Sequence, residues 1–338
     1  MSTVGGSFDE TILLNQRVKA DQLMFDDRIK QQFTPQYDVL NAIRAAQTAT
    51  VQTPITRRKN ANVEVMWENF CDIVAVAGDT TCDFNGNESS TNTQTYAPTF
   101  KREVHIKMDE TNFIDNEFEI NMAKALLKAD KEITEAFAQY AVAQLEAFKG
   151  TNALTTGKGV VSGLDTYIDP AYWTPALAAY FSRVSIINKF TSPIFASGSL
   201  LWEQFQVAQA NAANANGKGD WALWAGLQPY FDMFNIDTVN TPELKAYLIS
   251  MGSVAMVNKY YNPDVPEVLM PYTRYTMPSR WLNGMKYDVF YKNSCTTDKF
   301  VVHDYIVRFN GDIYLNPEGC TSGNTGVLAF QCGTAPGN

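Results

Sequence analysis

A mixed α+β fold is predicted for this 338-residue chain by three observations. Two β-patterned regions, one from Val63 and one from Met285, lie far apart in sequence; a long amphipathic helix follows the first; helices and strands alternate between helix and second region. With 45% hydrophobic and 12% aromatic residues the composition is that of a folded globular protein. The length admits one large domain or a few smaller ones.

Residues 1–60 alternate short polar runs with isolated hydrophobes, and only Asp38 to Ala46 carries a helical pattern, with Leu40 and Ile43 on one side. Such a segment buries too little surface to fold alone, so an arm lying on something else is expected. From Val63 the residues are strand-like through Val65, Trp67 and the run Ile73, Val74, Ala75, Val76; Phe100, Val104 and Ile106 form a second run. Between the runs lies the polar stretch GDTTCDFNGNESSTNTQTYAPT. The pattern predicts a long hairpin with these two runs as its arms, and a connection of that length is expected to be functional or covered by a partner.

From about Asp115 to Phe148, Phe118, Met122, Leu126, Ala129, Ile133, Phe137 and Tyr140 recur at intervals of four, four and three, a repeat of eleven residues, closed by Gly150. That spacing keeps an apolar stripe on one face of a nearly straight helix roughly 50 Å long. Beyond it, Thr174 is expected to cap a helix opening at Pro175 and carrying Leu177, Phe181 and Val184. Ser197 is expected to open a second, with Leu201, Phe205 and Ala208, ending near Asn216 and Gly217. Strands are expected at Tyr230 to Val239 and Ala246 to Ser250. The segments MKYDVFYK, DKFVVHDYIVRF and GVLAF read as strands, with Gly311 turning the chain into DIYLNP.

The net charge of minus 9 argues against a general nucleic-acid binder, although residues 1–60 are slightly basic. The N-terminus lacks the basic and apolar regions of a secretory signal, and no apolar run approaches the ~18 residues of a membrane span. Five cysteines at irregular spacing read as free thiols of a reducing compartment.

Chemical motifs fail on spacing. GKGVVSG, with Gly157, Gly159 and Gly163, is one residue too long for a dinucleotide fingerprint and follows a helix instead of a strand, so it reads as a flexible connection. DFNGNE places Asp83, Asn85 and Asn87 like the first ligands of a calcium loop, but Glu88 stands where glycine is needed. His105 and His303 fall inside expected strands, away from any cysteine or histidine cluster. Trp221, Trp224, Tyr230, Phe231 and Phe234 read as core and not as a stacking platform. The sequon at Asn87 reads as chance in a chain without an export signal. No catalytic residue, cofactor or metal is expected.

The succession of basic arm, long hairpin, long helix, mixed α/β segment and returning strands resembles the major capsid proteins of tailed bacteriophages, whose shell fold is shared with the herpesvirus capsid floor and with encapsulins. The resemblance implies an N-terminal arm at 1–60, an extended loop at 61–110 and a peripheral domain with its spine helix at 111–174. It implies an axial domain at 175–285 and returning peripheral strands at 286–338. It further implies a structural protein, not an enzyme, that self-assembles into hexamers and pentamers of an icosahedral head, built in the host cytoplasm and residing in the virion. The arm is too short for a built-in scaffold, so a separate scaffolding protein is implied, with a portal, a decoration protein and weak, unspecific DNA contact as further partners.

Inter-subunit contacts are expected at Val65, Trp67, Val104 and Ile106, as apolar residues on limbs too thin to own cores. No Lys or Arg occurs from Asn60 to Phe100, so a lysine crosslink through this loop, as some members of the family form, is not expected. Instead Glu64, Glu68 and Asp72, with the acids that follow, are expected to meet a basic neighbour surface at Arg57, Arg58, Lys59, Lys101 and Arg102. The competing readings are an encapsulin-type compartment shell and, from the Trp and Tyr content and the polar loops, a secreted carbohydrate-binding protein or glycosidase.

Overall fold

The computed structural model describes residues 37–52, 62–68, 92–109, 117–174, 176–199, 201–202, 206, 227–240, 244–260, 267–269, 272–295, 301–317 and 324–336. They divide into two compact units, one formed by Thr99–Phe137 and Asn258–Gly311, the other by Gln36–Pro98, Ala138–Val257 and Asp312–Asn338. The class is α+β, as expected. Residues 175–285, expected as one domain, are shared between the units.

The first unit is an antiparallel sheet with the opening part of the long helix. β4 (Phe100–Asp109) pairs β14 (Val301–Leu315), which pairs β13 (Lys286–Cys295); β12 (Tyr272–Pro278) and β11 (Glu267–Leu269) follow. The helix α2 (Glu117–Phe148) has 32 residues, about 48 Å at 1.5 Å per residue. Its stripe is the expected one: Met122, Leu126, Ala129, Ile133 and Phe137 are all buried. Phe137 packs on Phe100 and Phe309, ring centroids 5.1 and 4.9 Å away, and Tyr287 lies 5.6 Å from Phe309. Tilted pairs of this kind add about 0.5–1.5 kcal/mol each beyond the area they bury.

The second unit is built on a mixed six-stranded sheet. Its order is β5 (Gly159–Ser162), β6 (Asp165–Ile168), β15 (Val327–Cys332), β9 (Lys245–Ile249), β7 (Ile194–Ser197) and β8 (Gln228–Phe231). β6 and β15 run parallel, as do β7 and β8. α3 (Leu177–Ile187) sets Leu177, Phe181 and Val184 against Phe195, Leu248 and Phe330. α1 (Asp38–Ala46) packs against β7 and β8, and the Val39 amide donates to Asp232 at 3.1 Å. Residues 38–46, expected within the arm, instead bury Val39, Leu40, Ala42, Ile43 and Ala46 in this unit, and residues 1–36 lie outside the described residues.

The hairpin differs from expectation. β2 (Val63–Trp67) pairs β1 (Thr50–Gln52) and β3 (Asn92–Tyr96), while Phe100–Asp109 belongs to the other sheet. The returning arm thus comes from the polar stretch: NTQTY alternates half-buried and exposed positions and needs few hydrophobes to form a strand.

Four further expectations are corrected. α3 starts at Leu177, not Pro175, and Thr174 contributes its carbonyl to the Leu177 amide at 2.8 Å, not a side-chain cap. Ser197 ends β7; helix begins at Ser199, and its expected end near 216–217 lies outside the described residues. Residues 233–239 form helix α4 (Met233–Val239), since the Asp232 side chain accepts from the Asn235 amide and caps it. Gly311 is no turn: β14 runs through it, with Phe100 as its register partner.

GKGVVSG is likewise not a flexible connection. It forms β5 and the turn into β6, with Gly163 at φ 65°. Gly159 has no room for a side chain, because a Cβ there would strike the Tyr180 hydroxyl and the Thr166 methyl.

Candidate functional site

The base of the hairpin is an internal structure of the second unit. Val63, Val65 and Trp67 point to one side of β2 and are fully buried with Ala255 and Val257 of β10 (Val254–Asn258), beside Tyr96 and Tyr314. Trp67 Nε1 donates to the Tyr96 hydroxyl at 3.0 Å, and that hydroxyl donates to Gln94 Oε1 at 2.7 Å. Tyr96 stacks on Tyr314 with centroids 4.1 Å apart. The inter-subunit role expected of Val65 and Trp67 is therefore corrected: the chain itself covers both side chains. The opposite face of the hairpin is polar and open, with Glu64, Thr93 and Thr95 exposed and Glu68 exposed just beyond β2. Asn316 Nδ2 donates to the Glu68 carbonyl at 2.9 Å, so the chain is anchored where it leaves β2. Arg57, Arg58, Lys59 and Asp72, the Ile73–Val76 run, the DFNGNE loop and Asn87 lie outside the described residues.

Lys101, Arg102, Val104 and Ile106 lie on β4, in the first unit. Val104 and Ile106 are half-buried; Lys101 and Arg102 are exposed, the Arg102 guanidinium 5.1 Å from the Phe100 ring. Glu103 accepts from Arg308 Nε at 2.5 Å.

Buried polar groups serve the fold. His303 is buried in β14 with Nδ1 2.8 Å from the Tyr291 hydroxyl, whereas His105 is exposed on β4. Glu146, near the end of α2, accepts from Lys149, from Lys245 at 2.8 Å and from the Tyr247 hydroxyl at 3.0 Å; Lys149 also bonds Asp165 at 2.7 Å. Burial drives the Tyr247 phenol far up, and the Glu146 carboxylate adds to that. These contacts tie α2 to β6 and β9. Among the described residues, no group of three or more His, Cys, Asp and Glu side chains is placed to hold a metal ion.

Two features escaped the sequence reading. Asp130 and Thr134 are buried within the apolar stripe of α2, a polar pair that helical periodicity passes over. The second unit also leaves large apolar side chains in solvent: Ile186 is 74% exposed, Phe234 49%, Val160 46% and Leu164 45%. Phe234, read as core, stands on the outer side of a helix that sequence alternation disguised as a strand.

No protein-family model matches this chain, and no curated protein matches its sequence. Among solved structures it is similar to one from Mycobacterium phage Che8, at 11% identity and TM-score 0.41, over 84% of this chain and 92% of that one. It is similar to the capsid of cyanophage P-SCSP1u at 11% identity and TM-score 0.43, over 83% of this chain and 85% of that one. A third is the mature capsid of bacteriophage PhiM1, at 11% identity and TM-score 0.43, over 87% of each chain.

Proposed function

We propose that this chain is a major capsid protein, a structural subunit that self-assembles into hexamers and pentamers of an icosahedral phage head around the genome. The observation that carries the reading is a 32-residue helix whose residues belong to both compact units, preceded by an acidic hairpin and followed by a mixed-sheet unit and returning strands. A helix of that length costs little to keep straight when both units bury its stripe, and it suits a subunit whose work is to span and not to enclose a site. Apolar side chains left in solvent at Ile186, Phe234, Val160 and Leu164 supply area for copies to cover.

In this reading the residues before 37 are an arm, 68–91 the reaching part of the extended loop, and α2 the spine. Glu64 and Glu68 stay in the set of inter-subunit contacts, together with Lys101, Arg102, Val104 and Ile106. Partners are further copies, a separate scaffolding protein, a portal and a decoration protein, with weak contact to packaged DNA; the location is the virion, after assembly in the host cytoplasm. No catalytic step is assigned. Negative-stain microscopy of purified protein tests the reading. Closed shells or five- and six-membered rings are expected, and a stable compact monomer at all concentrations would overturn it.

A further inference from the structure

β4 pairs β14 along one edge, and among the described residues no strand pairs its other edge. From Lys101 to Met108 that second edge carries a row of backbone N–H and C=O groups, the usual template for a strand of another chain. Side chains alternate across the strand. On the side where Phe100 meets Phe137 of α2, Met108 is buried, Val104 and Ile106 are half-buried and Arg102 is exposed. On the other side Lys101, Glu103, His105 and Lys107 are exposed and Asp109 is half-buried. They belong to a charged sheet face, on which Arg308 stands beside Glu103, and Asp304 and Lys292 line up beside Lys107.

Lysines on an edge strand commonly serve to repel other strands. Here each cation has an acid at the matching place, because KREVHIKMD is complementary to its own reverse. The outward backbone groups of a strand fall on alternate residues, so when two copies of β4 run antiparallel, odd positions face odd and even face even. The registers that satisfy this differ by steps of two residues. In one of them His105 faces its own copy, Glu103 faces Lys107 and Lys101 faces Asp109, while on the other side Val104 faces Ile106 and Arg102 faces Met108. One step away Lys101 would face Lys107; one step the other way Glu103 would face Asp109. Like charges directly opposite destabilise a strand pair, so charge selects the first register.

We propose that two copies of this chain join edge to edge through β4, antiparallel about a two-fold axis at His105, and merge their sheets. Val104 and Ile106 of both copies then close into one apolar cluster, and each charge pair occurs twice. The proposal goes beyond the capsid reading, since it names a partner strand and its register and would stand in a protein that forms dimers but no shell. A contact of this kind is isologous and cannot be repeated around a ring of five or six copies, so in a shell it joins one ring to another. A single strand pair is small against the roughly 1,000 Å² of a stable interface, which makes the contact weak by itself.

The test uses full-length His105→Cys, Val104→Cys and Lys107→Cys variants under mild oxidation, with the bonded thiols located by peptide mass mapping. Facing Cα atoms of an antiparallel pair are roughly 4.5–5.5 Å apart, inside the roughly 4.4–6.8 Å that a disulfide spans. In the selected register the two copies of position 107 are about 13 Å or more apart. The bond between copies is therefore expected at least about tenfold more at position 105 than at 104 or 107. Adding Lys107→Glu to His105→Cys sets Glu103 against an acid twice and is expected to cut the yield roughly tenfold. Adding Glu103→Lys as well restores opposite charges and is expected to restore the yield, with an unchanged circular dichroism spectrum throughout. Equal bonding at all three positions, bonding chiefly at 104 or 107, or none at any would overturn the proposal. Shells of wild type without the bond at 105 leave the capsid reading standing and sink this contact; the bond without shells does the reverse.

Discussion

The Tyr287 hydroxyl donates to Asp130 Oδ1 at 2.5 Å, between two side chains that are both fully buried. The same carboxylate accepts from Ser279 Oγ at 2.8 Å, from Thr134 Oγ1 at 3.2 Å and from the Arg280 amide at 2.7 Å. Ser279 Oγ in turn accepts from the Trp281 and Leu282 amides, so one carboxylate on α2 holds the turn between β12 and β13. Burial drives the Asp130 carboxyl above its ordinary range, and the four donors work against that shift.

Removing this hub is therefore costly. Asp130→Ala strands several buried donors, and a loss of about 3 kcal/mol is expected. Tyr287→Phe deletes one donor and leaves the others, for about 1–2 kcal/mol. Urea unfolding of the two single variants and the double variant checks both, and the losses should fall short of additive because the residues share one network. Additive losses would mean that the contact carries no coupling.

The Glu146 cluster makes stability pH-dependent with a definite sign. Burial alone would raise the Glu146 carboxyl, but the bonds from Lys149 and Lys245 prevail and hold it below its ordinary 4.5. A carboxyl lower in the folded than in the unfolded state contributes stability that is complete above the unfolded value and is lost as pH falls through the folded one. Lys245→Met removes one of the two cations, so the variant is expected to be about 1–3 kcal/mol less stable at neutral pH. It should also lose less on acidification than wild type. Urea midpoints from about pH 3 to 7 measure both, and parallel curves would assign the acid sensitivity elsewhere.

Apolar periodicity made the helices legible and left the polar strands hidden. Asp38–Ala46 is a helix with the expected bounds and α2 begins two residues inside its expected start, because Leu40, Ile43 and the Met122–Phe137 stripe announce their buried side. β3 was invisible: of NTQTY only Tyr96 packs against apolar neighbours, and backbone pairing with β2 leaves no mark on composition. Phe234 and Ile236 alternate as a strand would, and the Asp232 cap that turns them into helix is decisive only once Asn235 lies beside it. The charged sheet face was partly readable, since KYDVFYK sets Lys286, Asp288, Phe290 and Lys292 on alternate positions. Which strands would line up beside it depends on pairing between residues far apart in sequence.

The hairpin base separates a structural from an assembly role. Trp67 is fully buried and donates to Tyr96, so Trp67→Ala is expected to destabilise the isolated subunit by about 3–5 kcal/mol. Glu64, on the opposite and exposed face of the same strand, should change subunit stability by no more than about 0.5 kcal/mol when replaced by alanine. Thermal melts at subunit concentrations too low for assembly distinguish the two. A Trp67→Ala subunit melting with wild type would return this side chain to an inter-subunit contact.

Exposed apolar side chains in the second unit predict the converse pattern. Ile186, in the last turn of α3, has 74% of its surface in water and Phe234 stands 49% exposed on α4, so neither contributes much to the unit's own core. Ile186→Asp and Phe234→Asp are expected to leave the subunit's unfolding free energy within about 0.5 kcal/mol of wild type. Where copies cover these positions, the same changes place a charge in a dry contact and should cost roughly 2 kcal/mol or more of association. Light scattering during assembly and urea unfolding of the unassembled subunit read the two quantities separately. Unaltered scattering in both variants would remove these side chains from the contact surface.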